Sequence, residues 1–214
     1  MKIGSVRARV GEQVHRDLAA AARFAGLLLA CAALTAPAAA QSASAPVAAG
    51  ASARSAFRPS AIFVQAGVAE EAQMANAGAI WEWSWHRDLS FGRLSGYWEA
   101  AFGRWSSDVD GNGGNAWVTQ IGVTPVLRLY PRSWGGRWFL EGGIGFNFLQ
   151  PIYRSASKSF STTFNFGDHL AVGRRFGRDR RHELALRFQH FSNAGIRSPN
   201  PGEDFLQLRY SWYF

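Results

Sequence analysis

From Pro59 to Phe214 the chain alternates. Apolar and polar residues change places at every second position over runs of about ten residues, the period of a strand with two unlike faces. Eight runs carry the pattern: 61–68, 79–87, 94–105, 116–129, 138–149, 160–176, 182–192 and 205–214. In the second, Trp81, Trp83 and Trp85 fall on one face and Glu82, Ser84 and His86 on the other. In the fifth, Trp138, Leu140, Ile144, Phe146 and Phe148 oppose Glu141 and Asn147. In the last, Leu206, Leu208, Tyr210, Trp212 and Phe214 oppose Gln207, Arg209 and Ser211. Clusters of Gly, Asn, Asp and Ser separate the runs, as turns require. No apolar stretch is long enough to span a bilayer as a helix.

The two faces decide the environment. The interior of an eight-stranded barrel is narrow. Tryptophan rows fit it poorly, whereas Glu82, Glu99, Glu141, Glu183, Arg187 and Arg209 can pair there and stabilise the barrel, leaving the aromatics to face lipid. A soluble lipocalin-like barrel with this outer face would aggregate. Short basic connections (131–136 and 176–181) alternate with longer polar ones (108–115, 150–159 and 193–203), as tight periplasmic turns and outer loops do. The expected fold is therefore all-β: an eight-stranded antiparallel transmembrane β-barrel of the bacterial outer membrane, over residues 59–214. Trp81, Trp105, Trp117 and Trp138 are expected in its interfacial girdle. The closing Phe214, with aromatics at alternate positions before it, resembles the terminal strand of such barrels.

Residues 1–40 break the pattern. Lys2, Arg7, Arg9, Arg16 and Arg23 precede an apolar run from Phe24 to Leu34, and Ala38-Ala39-Ala40 follows. These are the parts of a secretory signal peptide, with cleavage expected between Ala40 and Gln41. Leu28-Leu29-Ala30-Cys31 imitates a lipoprotein box, with a poorer fit. Residues 41–58 are mostly Ala and Ser and read as a flexible leader. Cys31 is the only cysteine of the 214 residues, which excludes a disulfide framework and a multi-cysteine zinc site. A net charge of +8 raises the question of nucleic acid, but no basic helix or nucleic-acid motif accompanies it, so no nucleic-acid partner is expected.

Candidate chemistry concentrates between the last two runs. Leu184, Leu186 and Phe188 form the apolar face of the seventh, and His190 and Ser192 continue it. Two residues rise about 6.6 Å along a strand, so these side chains project side by side. In the last run the apolar parity extends back from Leu206 to Asp204. Three polar groups on a hydrocarbon-facing wall are costly and need a reason. Serine, histidine and a carboxylate are the parts of a nucleophile, base and orienting acid, here aimed at an ester reached from within the membrane.

The segment His190-Phe191-Ser192-Asn193-Ala194-Gly195-Ile196, with Pro199-Asn200, Gly202 and a following carboxylate, closely resembles the PagL family of lipid A 3-O-deacylases. Weaker echoes lie at 93–99, 139–145 and 164–168. The resemblance implies an outer-membrane barrel that hydrolyses the ester at position 3 of lipid A (lipopolysaccharide), releases a 3-hydroxy fatty acid, and needs no metal or other cofactor. It places the catalytic histidine and serine on His190 and Ser192. The family's acid is a glutamate fourteen residues after the histidine; that spacing gives Asp204, while residue type gives Glu203. Spacing and strand parity together favour Asp204. Asn193, Asn200 and the backbone N–H groups of Ala194 and Gly195 are the oxyanion candidates. Arg154, Lys158 and Arg197, in expected outer loops, are candidates for gripping substrate phosphates.

The remaining polar residues have plainer readings. His86, His169 and His182 are lone. Asp108, Asp110 and Asn112 imitate a calcium loop without the closing glutamate. Arg174, Arg175, Arg178, Arg180 and Arg181 read as one solvated turn. The competing functions are a non-enzymatic small outer-membrane barrel, adhesive or membrane-stabilising, and an acyltransferase barrel, which would need an interior acyl pocket. The sequence does not choose between a monomer and a homodimer.

Overall fold

Alternation of large apolar with polar residues closes into a barrel because only closure pairs every strand edge. The computed structural model describes residues 58–110 and 115–214. The expected signal peptide, Cys31, Asn112 and the leader up to residue 57 lie outside the described residues. The strands are β1 (Ala61–Val68), β2 (Ala72–Leu89), β3 (Gly92–Asp108), β4 (Asn115–Pro131), β5 (Trp138–Gln150), β6 (Phe164–Phe176), β7 (His182–Ser192) and β8 (Glu203–Tyr213). Each pairs antiparallel with the next, and β1 closes on β8 from Ala61↔Tyr213 to Val68↔Leu206. The one helical element among the described residues is a single 3-10 turn, Arg132–Trp134.

The faces follow the expected parity. Leu206, Leu208, Tyr210, Trp212 and Phe214 are exposed, while Gln207, Arg209 and Ser211 are buried. Exposed Phe102, Ile121, Phe146, Leu170 and Leu186 continue the apolar wall around the barrel. A wall of this composition suits hydrocarbon rather than water.

Four local features differ from the expectation. Strand β2 begins at Ala72 rather than Ala79, because Ala75, Ala77 and Gly78 are too small to mark a face. The first connection is therefore only 69–71, and the alternation of short and long connections fails there. Within β2 the register shifts between Glu82 and His86, so parity cannot be carried straight through the tryptophan row. Strand β6 begins at Phe164, leaving Phe160 buried in the preceding loop. Trp105 is not in the girdle: it is fully buried, its indole N–H donating to Gln120 Oε1 at 2.8 Å.

The interior has two zones. Toward the end where the long loops emerge, Trp105 packs on Tyr153, Phe191 and Phe205 at ring separations of 5.4, 4.7 and 4.7 Å. Tyr153 and Phe160 come from the β5–β6 loop, so that loop stoppers the barrel. Below lies a lattice of charge. Arg187 bonds Glu99 at 3.0 Å and Glu141 at 3.2 Å, and Arg209 bonds Glu99 at 2.6 Å. Arg128 bonds Glu141 at 2.6 Å and Glu183 at 2.7 Å. Each ion in the narrow interior is held by an opposite one, the condition for keeping charge out of water.

Candidate active site

Strands β7 and β8 carry the expected constellation on their outer face. Gln189, Phe191, Glu203 and Phe205 point inward and are buried. His190 and Asp204 point outward, with side chains 41% and 57% exposed. The ladder pairs His190 with Asp204 directly, and His190 Nδ1 lies 2.6 Å from Asp204 Oδ1. An imidazole that donates from Nδ1 to a carboxylate keeps its lone pair on Nε2. Buried Phe191 and Phe205, 5.9 Å apart on the inner side, fix the two strands behind this pair.

The other ring edge rests against Gly202. This glycine has φ +71°, and a Cβ there would lie 2.5 Å from His190 Cε1 and 3.2 Å from Nε2. Glycine thus serves both the turn and the seat of the imidazole. Ser192 follows on the same face, half-buried, opposite Phe166.

The β7–β8 loop is tied by Asn193. Its side-chain amide donates to Ser161 Oγ at 3.0 Å and to the Arg197 carbonyl at 2.8 Å. Its Oδ1 accepts from Gly195 N at 2.9 Å, and its own N–H donates to Asn200 Oδ1 at 2.9 Å. The donors of Asn193 and Gly195 are thus spent on shaping the loop. Those of Ala194 N and Asn200 Nδ2 have no hydrogen-bond partner among the described residues. Ala194, at φ 53°, adopts a left-handed conformation that favours glycine or asparagine.

Glu203 lies on the opposite face from His190. Tyr153 Oη donates to its Oε2 at 2.6 Å and Lys158 Nζ to its Oε1 at 2.9 Å, which fastens the β5–β6 loop to β8. Burial opposes the charge on Lys158, but Glu203 outweighs it and raises the ammonium above its ordinary pKa. Burial and the same carboxylate push the Tyr153 phenol upward. Of the three loop cations, Lys158 is therefore drawn inward, while Arg154 and Arg197 are exposed. The lone histidines have other places: His169 is buried, and His182 Nδ1 lies 2.7 Å from Tyr210 Oη.

Residues 74–213 match the family model described as lipid A 3-O-deacylase (PagL). The chain belongs to the PagL family. It is 35% identical over 132 residues to the lipid A deacylase PagL of Bordetella bronchiseptica, covering 62% of this chain and 70% of that protein. It is 30% identical over 135 residues to the lipid A deacylase PagL of Pseudomonas aeruginosa, covering 62% and 73% respectively. A crystal structure of the outer membrane enzyme PagL aligns with a TM-score of 0.61 and 24% identity, over 72% of this chain and 99% of that one, and shows a shared fold. Membership places the chain among ester hydrolases.

The family echo at 164–168 ends in a neighbour of the PagL segment to which the sequence assigned no role. Asp168 on β6 is the cross-strand partner of His190 on the side away from Asp204, and it too is exposed on the outer face. The signal was present: Phe164, Phe166, Leu170 and Val172 share its parity, so a carboxylate interrupts an apolar row.

Proposed function

We propose that this PagL-family barrel sits in the outer membrane and hydrolyses the 3-O-linked acyl ester of lipid A, with Ser192 as nucleophile, His190 as base and Asp204 as the orienting acid. The observation that carries the reading is the His190–Asp204 contact of 2.6 Å on a wall otherwise built for hydrocarbon. In this scheme Nε2 takes the Ser192 proton as Oγ attacks the ester carbonyl carbon. The oxyanion is held by the Ala194 N–H and Asn200 Nδ2, each donor contributing about 3 kcal/mol. Collapse expels the sugar oxygen at position 3, which receives the proton from His190. Water, deprotonated by the same imidazole, then attacks the acyl-enzyme, and the imidazolium returns that proton to the departing Ser192 Oγ as a 3-hydroxy fatty acid is freed. Asp204 holds the tautomer and stabilises the imidazolium. Arg154 and Arg197 stand at the rim to meet the substrate phosphates. A site on the outer wall lets the acyl chain stay in the bilayer throughout.

Lipid A mass spectrometry tests this. Wild-type protein added to lipid A in mixed micelles should remove one 3-hydroxyacyl mass. Ser192→Ala, folded to the same heat-modifiable electrophoretic form, should leave lipid A unchanged. Undiminished loss of that chain by the variant would defeat the assignment.

A further inference from the structure

The end of the barrel opposite the site is rich in exposed arginine. Read from sequence, 174–181 is one solvated turn. The barrel sets it beside two others and joins all three. Arg132 N donates to the Phe91 carbonyl at 2.9 Å, Arg175 N to the Arg137 carbonyl at 2.9 Å, and Tyr213 N to the Arg181 carbonyl at 2.8 Å. The result is a fixed ring rather than separate loops. Arg87, Arg132, Arg137, Arg174, Arg178 and Arg181 are all exposed on it. Among the described residues none of the six pairs with a carboxylate. Of the acids nearby, Asp88 pairs with Arg93 and Glu82 with Arg175, and exposed Asp179, in the 176–181 turn itself, is a single carboxylate among six arginines.

A second feature sets the depth of this ring. Arg174 is cross-strand partner to exposed Trp138 and Leu184, so it projects sideways from the outer wall, its guanidinium 5.5 Å above the Trp138 ring. Arg87 pairs with Leu94 on the outer face of β3. Trp85, Trp134, Trp138 and Trp212 are 40–43% exposed in the same band, the place of an interfacial aromatic girdle. Arginines that leave the wall at girdle level lie among headgroups, where a soluble anion would not be selected. The guanidinium fork also suits a phosphate better than an ammonium does.

We propose that this ring is a docking collar for the phosphodiester headgroups of anionic phospholipids, in the leaflet opposite the one that presents the substrate. The choice of leaflet rests on the hydrolase reading; binding itself does not. Arginine near an anionic bilayer surface contributes about fivefold in affinity.

Refolded protein in neutral detergent is titrated with dioleoylphosphatidylglycerol or dioleoylphosphatidylcholine, and bound lipid is counted by native mass spectrometry. The comparison is wild type against a variant carrying R132Q, R137Q, R178Q and R181Q. The wild type should retain phosphatidylglycerol over phosphatidylcholine. The variant should lose at least about tenfold of that affinity, while hydrolysing lipid A at the wild-type rate. Equal retention by the two proteins, no preference between the two lipids, or displacement by equimolar inorganic phosphate would overturn the collar. Loss of lipid A hydrolysis in the wild type with the lipid preference intact would sink the hydrolase reading instead.

Discussion

The barrel carries charge on both faces, and the two sets obey different rules. Inside, Arg128, Arg187, Arg209, Glu99, Glu141 and Glu183 are almost wholly buried, and each is held by at least one opposite charge. That lattice fills a lumen too narrow for tryptophan rows, and removing one member strands the others. Outside, His190, Asp204 and Asp168 interrupt an apolar wall of Phe188, Leu206 and Leu170. Nothing in the folding of the barrel asks for them, since leucine at the same positions would suit lipid better. Interior ions explain why the barrel stands; His190, Asp204 and Asp168 need chemistry to explain them. Perturbing each face in turn should therefore separate stability from rate.

Among perturbations that spare the nucleophile, the largest effect is expected at the acid. Asp204→Asn should lower kcat by about 10³- to 10⁴-fold by disturbing the tautomer and the imidazolium, with unfolding in urea unchanged. Glu203→Gln should cost less than about tenfold in kcat and instead loosen the β5–β6 loop, since its partners are Tyr153 and Lys158. Steady-state kinetics on lipid A in micelles reads both; the reverse ranking would place the acid inside the barrel.

The interior counterpart is Arg187→Met. It leaves Glu99 and Glu141 short of a partner and should cost about 3–5 kcal/mol of stability, measured by urea-gradient unfolding in detergent. Molecules that do fold should turn over at nearly the wild-type rate. A fall in kcat without a fall in stability would mean that the lattice takes part in the chemistry.

Much of this division was legible in the alternation alone. The bounds of β1 and β7 match the expected runs: β7 sets an apolar row against a mostly polar one, and β1 is a mostly apolar run with polar residues on either side of it. Parity alone placed His190, Ser192 and Asp204 on one wall and Glu203 on the other. Where side chains are small the signal vanished, as in the Ala72–Gly78 half of β2. Where the ladder slips, near Glu82, a periodic reading has no means of detecting it. Trp105 was misread because strand ends hold both girdle and core rings, and only the loop that brings Tyr153 and Phe160 decides which. The hydrogen bonds of Asn193 and the seat at Gly202 depend on loop conformation, which residue type constrains only loosely.

That seat gives the finest test of the comparison. Gly202 and Gly195 both have positive φ, +71° and +80°, so alanine strains either by about 1–2 kcal/mol. They differ in what the new methyl would meet. At Gly195 nothing lies within 4 Å, whereas at Gly202 the methyl would press on Cε1 of His190. The two variants should therefore lose similar stability, read by urea unfolding. Only Gly202→Ala should displace the imidazole, lowering kcat by about tenfold to a hundredfold through misplacement of the base. Substrate binding should change little, because the loop cations at Arg154 and Arg197 are untouched, so the loss belongs in kcat rather than KM. Equal losses of kcat in the two variants would trace the effect to general loop strain. The outer wall would then hold its chemistry no more tightly than the loop that borders it.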